Sequence, residues 1–153
     1  MECDEDAVAR LARDAGISPI VARLLLNRGI DTTESARDFM SPSLEALHDP
    51  FLLPDMEQAV NRLGAAVSNG ELVFVHGDYD VDGVTGAALL VRTLRALKAS
   101  VEYRLPHRKQ EGYDLKPATV EEMAAKGAKL IVTCDCGINA IEAVDRANQL
   151  GVD

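Results

Sequence analysis

The 153-residue sequence has no tryptophan, and aromatic residues make up only 4% of it. A buried core must therefore consist mostly of Ala, Val, Leu and Ile. The sequence also lacks an apolar run of about 20 residues, the length that a membrane-spanning helix needs, so no membrane partner is expected. An apolar fraction of 47% is ordinary for a globular protein, and the length suits one domain or one domain with an appendage.

Cysteine and positive charge are also scarce. Only three cysteines are present, Cys3, Cys134 and Cys136, and the acidic residues 1–6 lack the apolar core of a secretory signal. We therefore expect a cytoplasmic protein with reduced thiols. The net charge of −9 argues against a basic surface over the whole molecule. Nucleic acid is still a compatible partner if a metal site and a local basic patch supply the attraction.

The first 55 residues predict a helical lead-in followed by a linker. Apolar residues at helical spacing within residues 6–28 predict two helices, the second opened by Pro19 and closed by Gly29. A third short helix is predicted over residues 31–40. Residues 41–55 contain three prolines, which interrupt regular structure and predict a linker.

From residue 56 onward the sequence predicts helices and strands in alternation. Asp55 is placed to cap a helix over residues 56–67. Beyond it, strands are predicted at 72–75, 101–105 and 129–134, and helices at 84–98, 117–126 and 139–150. Residues 152–153 resemble the first step of a further strand. This alternation predicts an α/β fold with a parallel sheet and right-handed crossovers, in a domain over residues 56–153 that follows the lead-in of residues 1–55.

The polar side chains that suggest chemistry follow two of the predicted strands. Residues 76–83 read His-Gly-Asp-Tyr-Asp-Val-Asp-Gly directly after the first strand, and Asp135 follows the third. Ligands of open α/β sheets bind outside the carboxyl ends of the strands, so these side chains should meet at one edge. Carboxylates this close repel one another unless a cation lies between them. Oxygen and imidazole groups suit a hard divalent cation, and the candidate ligands are His76, Asp78, Asp80, Asp82 and Asp135.

Four other interpretations of the acidic segment stay open. A calcium loop starting at Asp78 needs an acid at its twelfth position, where Leu89 stands. An aspartyl-phosphate phosphatase would use Asp78 and Asp80, or Asp80 and Asp82, as nucleophile and acid, but no clear lysine motif follows. A phosphate cradle could use Gly77, Gly83 and Gly86, although their spacing is not that of a dinucleotide fingerprint. A solvated turn with helix-capping aspartates suits Asp82.

The basic loop, residues 105–113, is the one concentrated basic segment. Its side chains His107, Arg108, Lys109 and Tyr113 can hold a phosphate or stack on a base, and a solvated loop is the alternative. Cys134 and Cys136 flank Asp135. With only two neighbouring thiols, small core residues are a better interpretation of this pair than a structural zinc site.

Three segments together resemble the DHH phosphoesterase superfamily: the acidic segment 76–83, the basic loop, and Thr-Cys-Asp-Cys-Gly-Ile at 133–138. Residues 28–30 and 47–56 are similar to the lead-in of the single-strand-specific DNA exonucleases within that superfamily. The resemblance covers nearly the whole chain. It implies a two-metal phosphodiesterase, usually with Mn²⁺ or Mg²⁺, that degrades single-stranded DNA from the 5′ end in repair and recombination.

The resemblance also implies roles for the candidate residues. His76, Asp80 and Asp82 correspond to the first metal motif, with Asp78 as a close neighbour, and Asp135 corresponds to the second. Asp80, Asp82 and Asp135 are then the catalytic carboxylates. The basic loop corresponds to a segment that contacts the DNA.

The sequence departs from the family pattern in two respects. The Asp-His-His motif would lie on the strand that begins at Val152, and it is absent from the 153 residues. Asp114 stands where the pattern suggests glycine. We therefore expect a fragment whose partner is the missing C-terminal portion of the same protein. By itself it should bind Mn²⁺ weakly and not cleave DNA. The alternatives are another phosphodiesterase of the superfamily, of the oligoribonuclease or cyclic-dinucleotide type, and a non-catalytic scaffold of the same fold.

Overall fold

The computed structural model describes residues 4–153. Met1, Glu2 and Cys3, which form part of the acidic chain start, lie outside the described residues. The chain divides into two compact units, one ending at Leu52 and the other beginning at Leu53. None of the described helices is both long and apolar enough to cross a membrane.

Three short helices form the first unit: α1 (Glu5–Ala15), α2 (Pro19–Leu26) and α3 (Thr33–Met40). Each begins after a residue whose side chain accepts a backbone N–H of the first turn, namely Asp4, Ser18 and Thr32. Their small core contains Val8, Leu11, Ala12, Ala22, Leu25 and Ala36. The linker that follows contains only two turns of 3₁₀ helix, at Leu44–Ala46 and Pro50–Leu52.

The second unit is an α/β domain. Its elements are α4 (Met56–Asn69), β1 (Leu72–Gly77), α5 (Val81–Ala96), β2 (Ser100–Arg104), α6 (Pro117–Ala125), β3 (Ala128–Cys134) and α7 (Ile141–Gln149). The three strands are parallel and lie in the order β2-β1-β3. The predicted α/β class and the parallel sheet are confirmed.

The sheet lies between two layers of helices. On one face, Val73 and Val75 of β1 pack with residues of α4 and α5. On the other face, Phe74 packs with residues of α6 and α7. Because successive strand residues point to opposite faces, a continuous apolar run buries both faces of the central strand.

The last residue extends the sheet beyond β3. The backbone N–H of Asp153 donates to the carbonyl of Lys129 at 3.1 Å, and the N–H of Ile131 donates to the carbonyl of Asp153 at 2.7 Å. This is the pattern of a parallel ladder, and it fits the strand start predicted at residues 152–153. Arg62 of α4 stabilises the arrangement, since its Nε lies 2.6 Å from the Asp153 carboxylate and its Nη1 lies 2.8 Å from Glu71.

One predicted helix start and one predicted helix cap are wrong. Helix α5 begins at Val81 rather than at residue 84, so Asp82 and Gly83 belong to its first turn. Asp55 precedes α4 as predicted, but its φ is 58° and its side chain accepts no capping hydrogen bond. A cap residue needs extended backbone to turn its side chain onto the first turn, and Asp55 does not have it.

Candidate metal centre

The end of β1 and the first turn of α5 approach each other closely. A Cβ atom on Gly77 would lie 2.5 Å from the carbonyl oxygen of Gly83, and one on Gly83 would collide with the backbone of Asp78. One turn further on, a Cβ on Gly86 would collide with Sγ of Cys134 at the end of β3. The glycines therefore allow α5 to start directly against the sheet edge at which the three strands end, here called the carboxyl edge.

His76 and Asp78 are buried at this edge. His76 is 1% exposed and Asp78 is 4% exposed. Among residues 4–153, neither ring nitrogen of His76 nor Oδ1 of Asp78 has a hydrogen-bond partner. Each such buried polar atom costs about 1–3 kcal/mol if nothing binds it. Burial lowers the pKa of His76, and the positive charge of Arg104 lowers it further, so the imidazole is neutral at pH 7 and keeps a lone pair for a ligand.

Asp80 and Asp82 occupy the start of α5. Oδ1 of Asp80 accepts the backbone N–H groups of Asp82 and Gly83, both at 3.1 Å, which makes Asp80 the N-cap of the helix. The capping role suggested for Asp82 is therefore wrong, because Asp82 lies inside the first turn. Both carboxylates are exposed to solvent.

Asp135 follows β3 in a left-handed conformation with φ of 60°. It follows Cys134, whose partner in the parallel pairing of β3 with β1 is Gly77, so Asp135 and the acidic segment leave neighbouring strands at the same end. Partial desolvation raises the pKa of Asp135, and the negative charges of Asp80, Asp82 and Asp78 raise it further. The prediction that the two acidic strand ends share one edge of the sheet is confirmed by the parallel pairing of β1 with β3.

The donors at this edge fit a hard divalent cation in their chemistry. Carboxylate oxygens and a neutral imidazole are ligands that Mn²⁺ and Mg²⁺ sites use. A cation would also supply the partner that the buried atoms of His76 and Asp78 lack and would offset the repulsion at Asp135. Within residues 4–153, however, no group of three or more His, Cys, Asp or Glu side chains is already arranged so that it could hold a metal ion. The metal-ligand assignment therefore stays a prediction.

The turn after Asp135 is held by Asp114. Oδ1 of Asp114 accepts the backbone N–H of Gly137 at 2.7 Å and that of Leu115 at 2.8 Å. Asp114 itself has φ of 74°, a conformation that favours glycine, and this explains why the family pattern suggests glycine there. The carboxylate thus compensates for a strained backbone by joining the loop before α6 to the turn that carries Asp135.

The basic loop is shaped by an ion pair at its base. Glu111 binds the guanidinium of Arg104 through both carboxylate oxygens and also accepts the backbone N–H of His107. These contacts lower the pKa of Glu111 to about 2. At the tip, the guanidinium of Arg108 lies over the ring of Tyr79, 5.0 Å from its centroid. This contact places a positive charge beside the acidic segment.

The other predicted nucleic-acid-binding residues are accessible. His107 and Lys109 are exposed, and Tyr113 is 53% exposed. The pKa of Tyr113 is raised by partial desolvation and by the negative charge of Asp114. The structure therefore brings Arg108 to the carboxyl edge and leaves His107 and Lys109 on the loop surface. The pKa of Tyr113 is also raised by the charges of Asp78 and Asp135, so this residue is close enough to sense the acidic edge.

The cysteines that flank Asp135 are half-buried and free. Sγ of Cys136 lies 3.7 Å from the backbone carbonyl oxygen of His76, and burial raises the pKa of this thiol to about 11. Such thiols are protonated at neutral pH and poor metal ligands. They behave as small packing residues, as the sequence indicates.

The structure excludes the calcium-loop interpretation. A twelve-residue loop would run from Asp78 to Leu89, but α5 already begins at Val81. Three contributors at this edge are absent from the sequence prediction. Tyr79 lies under Arg108, Asp114 holds Gly137, and Glu111 shapes the loop. Two of them give a sequence signal: Glu111 is an acid within an otherwise basic segment, and Asp114 stands where the family pattern suggests glycine.

Comparison with known proteins gives a consistent result. A sequence profile described as "DHH family, N-terminal domain" matches residues 72–153. The chain is 39% identical to the single-stranded-DNA-specific exonuclease RecJ of Bacillus subtilis (strain 168), over 98% of this chain and 19% of that protein.

Two solved structures are similar to this chain. A crystal structure of exonuclease RecJ bound to manganese matches 67% of this chain and 27% of its own, with 40% identity and a TM-score of 0.62. The Mn²⁺ complex of RecJ from Thermus thermophilus matches 99% of this chain and 20% of its own, with 28% identity and a TM-score of 0.70.

This chain spans only 19% to 25% of the length of the curated RecJ proteins from Bacillus, Dickeya, Escherichia and Salmonella. The matched profile includes the whole sheet, the acidic segment, the basic loop and Asp135. On that match, and on the parallel sheet that carries these residues, the chain belongs to the DHH family.

Proposed function

We propose that this chain contributes part of the metal centre of a metal-dependent exonuclease that hydrolyses single-stranded DNA from the 5′ end. Its setting would be DNA repair and recombination in the cytoplasm. The names of the RecJ relatives, which are single-stranded-DNA-specific exonucleases, support the substrate. The Mn²⁺ and Mg²⁺ complexes of RecJ support the choice of metals. The 5′ polarity rests on the family resemblance.

The observation that carries the proposal is the unsatisfied buried pair, His76 and Asp78. These atoms belong to the end of β1 and to the loop that leads to Asp80. No group among residues 4–153 forms a hydrogen bond with them. Burying a histidine with both nitrogens unbound has no benefit for stability. A divalent cation accepts lone pairs, so it would satisfy the unprotonated ring nitrogen of His76 and Oδ1 of Asp78 together, and the remaining ring N–H would need an acceptor.

The residues of this chain would have distinct roles. His76, Asp80, Asp82 and Asp135 would hold Mn²⁺ or Mg²⁺, with Asp78 beside them. A bound cation would polarise the scissile phosphate and lower the pKa of an attacking water. Asp80 is anchored by its capping bonds through Oδ1, so its orientation is fixed relative to α5.

The basic loop would neutralise the substrate. Arg108, held over Tyr79, offers a guanidinium fork that suits a phosphate. Glu111 and Arg104 would keep the loop in the shape that presents Arg108. His107, Lys109 and Tyr113 would contact adjoining phosphates or bases.

The test compares substitutions in the complete gene product. Asp80→Ala and Asp82→Ala should each abolish Mn²⁺-dependent hydrolysis of single-stranded DNA, measured with a labelled oligonucleotide and with the duplex as control. Asp145→Ala, an exposed aspartate on α7, should leave the activity unchanged. Normal hydrolysis by the Asp80 and Asp82 variants would refute the proposed catalytic role.

A non-catalytic scaffold is the second candidate. It is favoured by the finding that no metal-binding group is preassembled among residues 4–153. The same substitutions separate the two functions, because a scaffold should tolerate Asp80→Ala with no loss of its biological role.

A further inference from the structure

An open groove runs along α5 on one face of the sheet. It is lined by Val84, Ala87, Ala88, Val91, Arg92, Arg95, Tyr103 and Leu105 and has a volume of about 330 Å³. That volume lies at the lower end of the roughly 300–1,000 Å³ typical of ligand sites. The α5 side supplies small apolar residues, and the β2 side supplies one aromatic ring.

The charge of the groove is opposite to that of the chain. Arg92 and Arg95 line it, are both exposed, and form no salt bridge with any residue from 4 to 153. No acidic side chain lines the groove, although the chain has 25 acidic residues and a net charge of −9. Arg104, in contrast, is bound by Glu111 and Glu122. The groove therefore offers two free guanidinium groups to an anionic partner.

The groove also offers an aromatic surface. Strand alternation places Tyr103 on the same face of β2 as Val101 and Leu105, which pack towards α5. Tyr103 is 60% exposed, so its ring is accessible to a ligand. Aromatic rings beside arginines are the means by which proteins hold single-stranded nucleic acid without reading its sequence.

One end of the groove lies at the carboxyl edge of the sheet. Val84 lies in the first turn of α5, and Leu105 follows the last residue of β2 and begins the basic loop. The other end, at Arg95, lies in the last turn of α5. A strand held at the carboxyl edge could therefore continue along α5 into the groove.

We propose that this groove is a binding path for single-stranded nucleic acid, in which Tyr103 stacks on a base and Arg92 and Arg95 contact phosphates. The inference rests on the proposed function, because it extends the substrate path of that same centre. The groove would hold the strand by one base stack and two phosphate contacts, whereas the basic loop would act at the scissile phosphate.

The test measures binding of a fluorescent oligothymidylate to the 153-residue chain by anisotropy, without divalent cations, over a range of salt concentrations. Removing two phosphate contacts in the double variant Arg92→Gln/Arg95→Gln should lower the slope of log affinity against log salt by about 1.4, since each contact to a single strand contributes about 0.7. Tyr103→Ala should weaken binding about five-fold or more, as expected for one lost base stack, and Tyr103→Phe should restore it.

The matched control removes the same charge elsewhere. Arg10 and Arg37, in the first unit, are exposed and likewise form no salt bridge within residues 4–153. The variant Arg10→Gln/Arg37→Gln should leave the slope unchanged. Thermal unfolding of every variant, followed by circular dichroism, checks that the fold is retained.

Two results would overturn the inference in different ways. If the groove variant matches the control while Arg108→Gln lowers the slope, the strand does not use the groove, the proposed function stands, and the groove is left to an acidic protein segment. If the native chain shows no salt-dependent binding of the oligonucleotide, both the groove and the DNA-binding part of the proposed function fail.

Discussion

Gly77 and Gly83 determine how close the candidate ligands Asp80 and Asp82 lie to the sheet. Each faces backbone atoms of the other segment at distances that leave no room for a Cβ. Any side chain at these positions would push α5 away from β1 and carry Asp80 and Asp82 with it. At the residue scale, the centre thus depends on side chains that are absent as well as on those that are present.

Gly83→Ala should destabilise the chain by about 1–3 kcal/mol, the usual cost of forcing atoms into a packed site. Gly64→Ala is the matched control, because Gly64 lies in α4 with nothing within 4 Å of an added Cβ. That change should stabilise the chain by about 0.5–1 kcal/mol, since alanine favours helix over glycine. Urea unfolding followed by circular dichroism measures both, and equal effects of the two changes would contradict the packing described.

The tie between Glu111 and Arg104 predicts a pH effect at acid pH. Because the pKa of Glu111 is lowered from about 4.5 to about 2, its stabilising contribution is complete above the higher value and is lost as the pH falls towards the lower one. The stability difference between the native chain and Glu111→Gln should therefore be constant above about pH 5 and shrink between pH 4.5 and 2.

Urea unfolding at a series of pH values measures this difference. Glu102→Gln serves as control, since Glu102 is exposed and forms no ion pair within residues 4–153. If the stability difference between the native chain and Glu111→Gln grows as the pH falls, the ion pair does not hold the loop.

At the scale of single elements, the start of α5 combines a helix cap with candidate metal ligands. Asp80 caps the helix through Oδ1, and its negative charge raises the pKa of Asp135, which is unfavourable without a cation. The helix start therefore concentrates carboxylates that the fold alone does not need. Capping and metal binding can be separated, because an asparagine caps a helix as well as an aspartate does.

Asp80→Asn should keep the stability of the native chain or raise it slightly, since the cap stays and a repulsion is removed. Asp80→Ala should cost about 0.5–2 kcal/mol, the usual loss of an N-cap. Both variants should bind Mn²⁺ much more weakly than the native chain in a calorimetric titration. Native affinity in Asp80→Asn would mean that this side chain is a cap and nothing more.

The elements also show how far the sequence determines the structure. The buried run at 72–75 and the one at 129–134 predict the strands well, because parallel strands covered on both faces must be apolar throughout. The start of α5 is less predictable, since Gly83 disfavours helix and its place there depends on contact with Asp78. The hydrogen bond from Gly137 to Asp114 joins residues 23 apart in the chain, and no local pattern announces it. The candidate metal ligands follow from residue type and strand ends, whereas the position of Tyr79 under Arg108 depends on the fold of the loop.

At the scale of the whole molecule, the net negative charge of the chain repels the negative charge of the proposed nucleic-acid substrate. A chain with net charge −9 repels a nucleic acid unless cations and local arginines reverse the field at the site. The basic loop supplies Arg108 at the carboxyl edge, and the candidate metal centre would supply a cation there. A bound cation would therefore add to the attraction that the local arginines supply.

The 153-residue chain by itself should not hydrolyse single-stranded DNA, because no group of ligands within residues 4–153 is already arranged to hold a metal. A purified preparation incubated with Mn²⁺ and a labelled oligonucleotide should leave the substrate intact. An equally purified Asp80→Ala preparation controls for contaminating nucleases. Cleavage that is present in the native preparation and missing from the variant would refute this expectation.

The most direct test of the metal centre is electron paramagnetic resonance of Mn²⁺ titrated into the native chain. We predict weak but saturable binding, with a spin-echo modulation from a coordinated ¹⁴N nucleus. In His76→Ala the modulation should vanish and the affinity should fall at least about tenfold, as a lost contribution to a metal site commonly costs. His48→Ala, which removes an exposed histidine of the linker, should bind as the native chain does. Unchanged binding and modulation in His76→Ala would contradict a metal centre built on this buried histidine.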